Sequence, residues 1–262
     1  MVKEFEAGGY MALILGGSSG LGWAAAEKLA AHGMGLCILH RNTRSEMHAV
    51  TQSFERIKAC GVPFVAFNAD VISPEKRDEI VAALQAYKGR FRCILHSIAR
   101  GSLKAMDATA QPPLSTEDFK LTLDYMTYSL YDWVVAFRDA GLLAADARVL
   151  AFTSEGSHKA WRHYAAVAAA KAALEALVRN MALELAPYGV RTNCIQAGIT
   201  PTASMKRIPG SELLEAAAPG RNPFGRMTRP EDVANVVYLL CKDEAAWING
   251  SIIPVDGGEH IC

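Results

Sequence analysis

The sequence lacks the features that mark several large classes of protein. Its 27 basic and 27 acidic residues cancel to a formal net charge of zero, which favours neither nucleic acid nor an anionic membrane as a partner. No apolar run is long enough to span a bilayer. The first ten residues also lack the apolar core of a signal peptide. These absences predict a cytoplasmic globular protein with no nucleic-acid or membrane partner.

Cysteine is scarce and scattered. The six cysteines stand at positions 37, 60, 93, 194, 241 and 262 and never form a CxxC pair. This spacing favours free thiols in a reducing compartment over disulfides or a zinc site, so no metal is expected.

What the sequence does contain is a regular alternation of strand and helix patterns. Short apolar runs predict buried strands at 11–15, 36–40, 62–67, 91–96, 147–154 and 189–196, and residues 251–258 predict a final strand and turn. Helical segments separate them. The alternation predicts one α/β domain over 1–262, a Rossmann-like doubly wound parallel sheet with helices on both faces. Ligands are then expected at the carboxyl ends of the strands.

A glycine-rich loop, Gly16-Gly-Ser-Ser-Gly-Leu-Gly22, follows the first predicted strand and leads directly into a helical segment. In a strand–loop–helix unit, backbone amides and the helix N-terminus receive a pyrophosphate. The spacing is GxxxGxG rather than GxGxxG, and a simple tight turn is the alternative. We predict dinucleotide contacts from Gly16, Ser18, Ser19, Gly20, Leu21 and Gly22.

The second predicted strand is followed by arginine rather than by an acid. An NAD site usually places a carboxylate here for the ribose 2′-hydroxyl, but Arg41 and Arg44 precede the first acid, Glu46. A guanidinium pairs with a 2′-phosphate in bidentate fashion. The loop therefore favours NADPH, with NADH as the weaker candidate. The alternative is that both arginines only face solvent and contact no cofactor.

Other small or polar residues stand where further strands end. Asp70 and Val71 follow the third strand, and Asp70 could accept a hydrogen bond from an adenine amino group or cap the next loop. His96-Ser97-Ile98-Ala99 ends the fourth strand, and Ala197-Gly198 leaves the sixth. The carboxyl ends of parallel strands meet at one edge of a sheet, so we expect these residues along one crevice.

Tyr164 and Lys171 lie seven residues apart, two turns of an alanine-rich helix that we predict from 164 to about 186. They should share one helix face. A nearby lysine favours the phenolate and makes the hydroxyl a better proton donor. The alternative is that the tyrosine ring only packs in the core and the ammonium only faces solvent. The predicted strand 147–154 comes just before this pair and ends at Ser154.

Two longer segments complete the pattern. Residues 115–140 predict a helix with an N-capping start and an aromatic stripe that is typical of a core or a subunit interface. Residues 201–226 are rich in proline, glycine and polar side chains. We expect a mobile substrate-binding lid over 199–226.

Together these motifs resemble the short-chain dehydrogenase/reductase superfamily. The motifs are the 16–22 loop, Ala69-Asp-Val71, Tyr164 with Lys171, Arg191-Thr-Asn193 and Val255-Asp-Gly-Gly258. Ordinary members carry Tyr-x3-Lys, and here that place is Val167. The Tyr-x6-Lys spacing is similar to that of bacterial enoyl-[acyl-carrier-protein] reductases. Residues 96–99, Phe119-Lys120, Asp124 and Tyr128-Ser129 also fall in the pattern of that family. Met126 occupies the place of the catalytic Asn of ordinary members.

Two departures make the chain look closer to the NADPH-using variant of that family. The glycine loop has the short form, and Ser154 stands where the main type has a second tyrosine. The resemblance implies NADPH-dependent reduction of the 2,3-double bond of an acyl-carrier-protein or coenzyme A thioester in fatty-acid synthesis. It also implies a homotetramer, with the helices 115–140 and 164–186 at its interfaces.

The resemblance also assigns roles. Tyr164 would hydrogen-bond the thioester oxygen, Lys171 would hold the nicotinamide ribose, and Thr202 would contact the nicotinamide. Ser97, Ile98 and Ala99 would line the cofactor site with Ala197 and Gly198. Ser154 would orient the carbonyl or a water, or simply end the strand.

The wider spacing suits conjugate reduction. In a ketone, hydride lands one bond from the oxygen that needs a proton, whereas in a 2,3-unsaturated thioester it lands three bonds away. Moving the tyrosine three residues further from the lysine shifts its Cα by about 4.5 Å along a helix. Two alternatives remain, a 3-ketoacyl or other carbonyl reductase and a non-catalytic nucleotide-binding regulator. Lys206 and Arg207 are candidates for contact with an acidic carrier protein or are a solvated pair.

Overall fold

Seven strands form one parallel sheet in the computed structural model, which describes residues 2–107 and 112–262. The strands are β1 (Met11–Leu15), β2 (Gly35–His40), β3 (Phe64–Asn68), β4 (Phe91–His96), β5 (Leu143–Thr153), β6 (Val190–Ala197) and β7 (Ile252–Val255). Their order is β3-β2-β1-β4-β5-β6-β7. The strand order reverses between β1 and β4, where the carboxyl ends of an open parallel sheet leave a crevice for ligands. The predicted fold class is confirmed.

Helices pack on both faces of this sheet. They are α1 (Gly20–Ala31), α2 (Met47–Lys58), α3 (Pro74–Ala83), α4 (Thr116–Leu123), α5 (Ser129–Asp139), α6 (Ala165–Glu184), α7 (Ser211–Arg221) and α8 (Pro230–Cys241). Within the described residues, no helix is both long enough and apolar enough to cross a membrane.

The strands are apolar on both faces because each face is covered. On β1, Ala12 and Ile14 pack with residues of α1, α2 and α8, while Leu13 and Leu15 pack with residues of α3, α5 and α6. All of β1, β2 and β4 is buried. Burial at roughly 25 cal/mol per Å² of apolar surface makes these two layers the main stabilising contribution to the fold.

The predicted helix over 115–140 is interrupted by a π-helical turn. Ser115 caps α4, since its hydroxyl accepts from the Asp118 amide at 3.3 Å and Asp118 completes a capping box. A π-helix at Asp124–Tyr128 then joins α4 to α5. Such turns often occur at functional sites, and this one brings Tyr125 to the crevice.

The predicted start of the helix at Tyr164 agrees with the structure within one residue. Tyr164 was expected to open the helix, but it has φ −111° and ψ 3° and is the N-cap residue, with α6 beginning at Ala165. The residue before it, His163, has a left-handed φ of 61°, which non-glycine residues seldom adopt. The Tyr164 carbonyl accepts from the Ala168 amide at 2.7 Å, so this residue opens the helix as its cap.

Candidate active site

A cavity of about 870 Å³ lies at the carboxyl edge of the sheet. Loops that follow all seven strands contribute to its lining. Apart from Gly22, which packs behind them, all the predicted site residues line it: Gly16, Ser18, Ser19, Gly20, Leu21, Arg41, Asp70, Val71, Ser97, Ile98, Ala99, Ser154, Tyr164, Lys171, Ala197, Gly198 and Thr202. The topology thus brings together residues that the sequence spreads over 187 positions. Their individual roles stay predictions.

The glycine loop is shaped by close packing. Gly16 has φ +88°, and a Cβ there would lie 2.4 Å from the Ser97 carbonyl oxygen. A Cβ on Gly22 would lie 2.3 Å from the Gly16 carbonyl oxygen. Side chains at these two positions would push α1 away from the strand, so only glycine permits this approach.

The start of α1 fits a pyrophosphate. Among the described residues, the Ser19 hydroxyl caps no amide of the first turn, and that turn, which begins Gly20-Leu21-Gly22, contains no acid. The amides at the start of a helix favour an anion through their free N–H groups and the helix dipole. The predicted cofactor loop therefore has the chemistry that a dinucleotide needs.

Arg41 lines the cavity after β2 and is already paired. Its Nη1 is 2.9 Å from Asp70 Oδ2 and donates to the Tyr125 hydroxyl at 3.2 Å. Tyr125 in turn donates to Asp70 at 2.7 Å, and Arg100 stacks on the Tyr125 ring at 4.3 Å. Arg44 is exposed. Any 2′-phosphate bound here would therefore compete with Asp70 for the Arg41 guanidinium.

These bonds also fix the charge of Asp70. Burial tends to raise the pKa of this carboxyl, but hydrogen bonds from Tyr125 and Arg41 outweigh burial and hold its pKa below the ordinary value. Asp70 was predicted to accept from an adenine amino group or to cap a loop. Its carboxylate also accepts from the Ile72 amide at 3.3 Å, so the capping interpretation is supported as well.

Tyr164 meets Ser154 at the end of β5. Their hydroxyl oxygens lie 3.3 Å apart. Burial raises the pKa of the Tyr164 phenol, and the Ser154 hydrogen bond offsets that effect only in part. At neutral pH the group is therefore a phenol that can donate a hydrogen bond, and Ser154 offers a second hydroxyl beside it.

Lys171 does not act on Tyr164 as the sequence led us to expect. Its Nζ donates to the Phe152 carbonyl at 2.7 Å. Burial raises the pKa of Tyr164, and the hydrogen bond that partly offsets this effect comes from Ser154 rather than from the Lys171 ammonium. The Tyr164 hydroxyl lies beside Ser154, just after β5. Burial lowers the pKa of Lys171 itself to about 8, while Cys194 and Glu175 act to raise it.

An apolar pocket opens beside the Tyr164 ring. Met126, Val167 and Ala170 form a buried cluster with Tyr164, and the Trp161 ring lies 5.2 Å from it. Leu103 and Ile208 pack against the same cluster. Sequence patterns did not mark Trp161 or Leu103, because neither belongs to a periodic segment or a motif.

The predicted lid lies over the cavity. Met205, Ile208 and Leu214 line it, and α7 is anchored by Arg221, which contacts Glu155 at 3.0 Å and Glu259 at 3.8 Å. Residues of this segment thus line the cavity, whereas its role as a mobile lid stays a prediction. Glu155 and Glu259, also in the cavity lining, were not singled out from the sequence.

Two other sequence expectations concern cysteines and metals. All six cysteines are free thiols, and four of them are buried. Within residues 2–107 and 112–262, no group of three His, Cys, Asp or Glu side chains is arranged to hold a metal ion.

Comparison with known proteins places this geometry in a family. Residues 16–260 match the family model described as Enoyl-(Acyl carrier protein) reductase. The enoyl-[acyl-carrier-protein] reductase [NADH] FabI of Aquifex aeolicus is 33% identical over 195 residues, which are 73% of this chain and 70% of that protein. The crystal structure of an Aquifex aeolicus enoyl-[acyl-carrier-protein] reductase superposes with a TM-score of 0.81 and 28% identity, covering 97% of each chain.

Other relatives carry different names. An NADPH-dependent aldehyde reductase-like protein of Arabidopsis thaliana is 28% identical over 258 residues, 95% of this chain and 94% of that protein. The likeness over nearly the whole chain therefore extends beyond enoyl reductases. The chain belongs to the short-chain dehydrogenase/reductase superfamily, within the family of the enoyl-(acyl carrier protein) reductase model, and is an NAD(P)H-dependent oxidoreductase.

Proposed function

We propose that the protein reduces the 2,3-double bond of an enoyl thioester with NADPH, as an enoyl-[acyl-carrier-protein] reductase of cytoplasmic fatty-acid synthesis. The observation that carries the proposal is the position of Tyr164 at the N-cap of α6, with its phenol beside Ser154 and its ring against an apolar pocket. Val167, four residues before Lys171, is buried in that pocket. The apolar wall suits an acyl chain.

The chain's own residues would stabilise charge on the thioester oxygen. Tyr164 is held neutral by burial, so its phenol donates toward the oxygen as negative charge develops there, and the Ser154 hydroxyl supports the phenol oxygen through their shared hydrogen bond. Donors aimed at developing charge contribute more to the transition state than to the ground state. A bound nicotinamide cofactor would supply the hydride. Lys171 would hold the ribose hydroxyls with the N–H groups that do not face Phe152.

Arg41 supports NADPH as the cofactor. It is the cationic side chain nearest the end of β2 that lines the cavity, where a 2′-phosphate would bind. A phosphate with nearly two negative charges competes well with the single charge of Asp70 for one guanidinium. NADH remains the second choice, since the Aquifex aeolicus relative is named for NADH.

The substrate carrier and the assembly are also part of the proposal. Arg207 lines the cavity mouth, next to Lys206, and both suit the phosphate or acidic surface of an acyl-carrier-protein or coenzyme A. Tyr128 and Tyr131 are exposed along the α4–α5 run, and Leu183 is exposed near the end of α6. Exposed large apolar side chains on these helices support a homo-oligomer, with a tetramer as the form that we propose.

A carbonyl reductase is the second candidate. The Ser154–Tyr164 pair could also hold the oxygen of a ketone or aldehyde, and the Arabidopsis thaliana relative is named for aldehyde reduction. In that case the oxygen would bind closer to the hydride donor. A non-catalytic regulator is the third, and the buried Tyr164 and Lys171 in one cavity weigh against it.

The deciding experiment compares enoyl and keto substrates. NADPH and NADH oxidation would be followed with crotonyl and acetoacetyl thioesters of coenzyme A and of acyl-carrier-protein. We expect turnover of the crotonyl thioester with NADPH. Turnover restricted to the acetoacetyl thioester would establish the carbonyl reductase, and cofactor binding without turnover of any thioester would favour the regulator.

A further inference from the structure

Two buried charges lie one turn apart on α6. Lys171 is 7% exposed and Glu175 is 9% exposed. Side chains four residues apart on a helix share one face, with Cβ atoms about 5–6 Å apart. Both are deep within the layer between α6 and the sheet, and a charge in such a layer is costly unless another charge or hydrogen bonds offset it.

Each charged end reaches a neighbouring residue of β5. Lys171 Nζ donates to the Phe152 carbonyl at 2.7 Å, and Glu175 Oε1 accepts from the Thr153 hydroxyl at 2.5 Å. Each charged group therefore has its own hydrogen-bond partner on β5, and the two groups need no direct ion pair with each other. An ammonium has three N–H groups, so Lys171 keeps donors free for the cavity that it lines.

The other titratable groups around Lys171 are uncharged at neutral pH. His96 faces this layer from β4, and burial and the nearby Lys171 lower its pKa to about 3. Cys194 faces it from β6, and burial raises the pKa of its thiol to about 12. Arg179 is exposed, two turns further along α6. Glu175 thus supplies the opposite charge from α6 itself.

We propose that Glu175 is a positioning residue, the buried counter-charge that keeps Lys171 an ammonium without occupying the N–H groups needed by the cofactor. The proposal rests on the cofactor role given to Lys171 above and deepens it. Attraction between charges is weakly screened in a buried layer, so Glu175 acts across one helical turn. Thr153 orients the carboxylate for this role.

Removal of the Glu175 charge should shift the pKa of Lys171 in a definite direction. Lys171 loses its proton as pH rises through its pKa, and Glu175 helps to keep that pKa up. Glu175→Gln keeps the shape and a hydrogen-bond acceptor but removes the charge. The pKa of Lys171 should then fall by about one pH unit, and NADPH affinity should begin to decline at correspondingly lower pH.

Two readouts test this without substrate. NADPH binding to the full chain would be followed by fluorescence from pH 6 to 10, and the Lys171 titration by competitive amine labelling with mass spectrometry. In Glu175→Gln the midpoints of the binding curve and of the labelling curve should each move to lower pH by about one unit. At pH values between the wild-type and variant midpoints, the variant should bind NADPH several-fold more weakly than wild type. Glu175→Asp, which keeps the charge, should restore most of the wild-type midpoint, and Glu184→Gln, exposed on the same helix, should match wild type.

Other outcomes separate the two proposals. An unchanged Lys171 labelling curve in Glu175→Gln overturns the role of Glu175. A shifted labelling curve with pH-independent NADPH binding contradicts the cofactor role of Lys171 instead, and leaves Glu175 as its counter-charge. If Glu175→Gln fails to fold, Thr153→Val releases the carboxylate from β5 and should shift both curves in the same direction by a smaller amount; no shift there overturns the proposal.

Discussion

The two edges of the sheet handle charge in opposite ways. At the amino-terminal edge, Arg92 and Arg148 are only 2% and 1% exposed, and Asp146 pairs with both of them and with Arg191. At the carboxyl edge, helix amides and hydroxyl groups face a cavity of about 870 Å³. One edge satisfies its polar groups within the fold, and the other leaves them available.

The arginines at the amino-terminal edge also anchor α8. Arg92 Nε donates to the Cys241 carbonyl at 3.1 Å, Arg148 Nε to the Leu240 carbonyl at 3.0 Å, and Arg191 Nε to the Ala246 carbonyl at 2.9 Å. The first two are carbonyls at the end of the helix, which lack partners within it. Buried ion pairs that stabilise the fold are therefore concentrated at one edge, and the activity that we propose belongs to the other. Four substitutions test that division.

The largest effect is expected from Tyr164→Phe at the carboxyl edge. Loss of a donor aimed at developing charge should lower kcat on enoyl thioesters by about 10²–10³-fold. NADPH affinity and melting temperature should change little, since the ring still fills the apolar pocket. Steady-state kinetics and calorimetry measure both, with the exposed Tyr131→Phe as control. A rate within threefold of wild type would remove Tyr164 from the mechanism.

Asp146→Asn should lower stability and leave turnover unchanged. Two buried guanidiniums lose their shared carboxylate, so the free energy of unfolding at pH 7 should fall by about 3 kcal/mol. Turnover of the folded enzyme should be unchanged. Denaturant unfolding measures the loss, and Asp139→Asn, which breaks an exposed pair with Arg138, should cost less than about 1 kcal/mol.

The same cluster predicts a pH dependence. Burial acts to raise the pKa of Asp146, but the arginines outweigh burial and hold this pKa below its ordinary value. A carboxyl with a lowered folded pKa stabilises the protein above its unfolded pKa, and this stabilisation is lost as pH falls through the folded value. The stability difference between wild type and Asp146→Asn should therefore shrink below about pH 4. A constant difference down to pH 2 would contradict the charge argument.

Arg41→Asp tests cofactor choice at the carboxyl edge. A charge-assisted contact to the 2′-phosphate is worth about 1.5–3 kcal/mol, so the NADPH/NADH affinity ratio should fall by about 10–100-fold. Arg44→Asp makes the same charge change on an exposed neighbour and should move the ratio far less. Equal effects of both variants would mean that the ratio reflects net charge near the loop rather than a specific contact.

The smallest effect concerns the strained turn before Tyr164. His163 has φ 61°, which glycine adopts freely and a β-branched residue resists. His163→Gly should therefore be more stable than His163→Val by about 1–2 kcal/mol. Thermal unfolding of the two variants provides the comparison. A more stable His163→Val would show that the left-handed turn is not kept in solution.

Most of the fold could be predicted from local patterns. The strands β1 and β4 agree with their predicted bounds, since each is a short apolar run beside a glycine or polar boundary. The start of β5 was missed by four residues because Ala144 and Ala145 carry little strand signal. Tyr164 was placed in the helix because the alanine run continues the helical pattern through it, whereas the N-cap is decided by the turn at His163.

The sequence by itself determined the alternation of strands and helices, the glycine loop and the spacing of Tyr164 and Lys171, because each depends on residues close together in the chain. Tertiary structure alone decided that Tyr125 donates a hydrogen bond to Asp70, that Asp146 pairs with three arginines and that Glu175 accepts a hydrogen bond from Thr153. Periodicity tells which face a residue occupies. It does not tell which residue of a distant strand or helix that face will meet, because that depends on strand order and register.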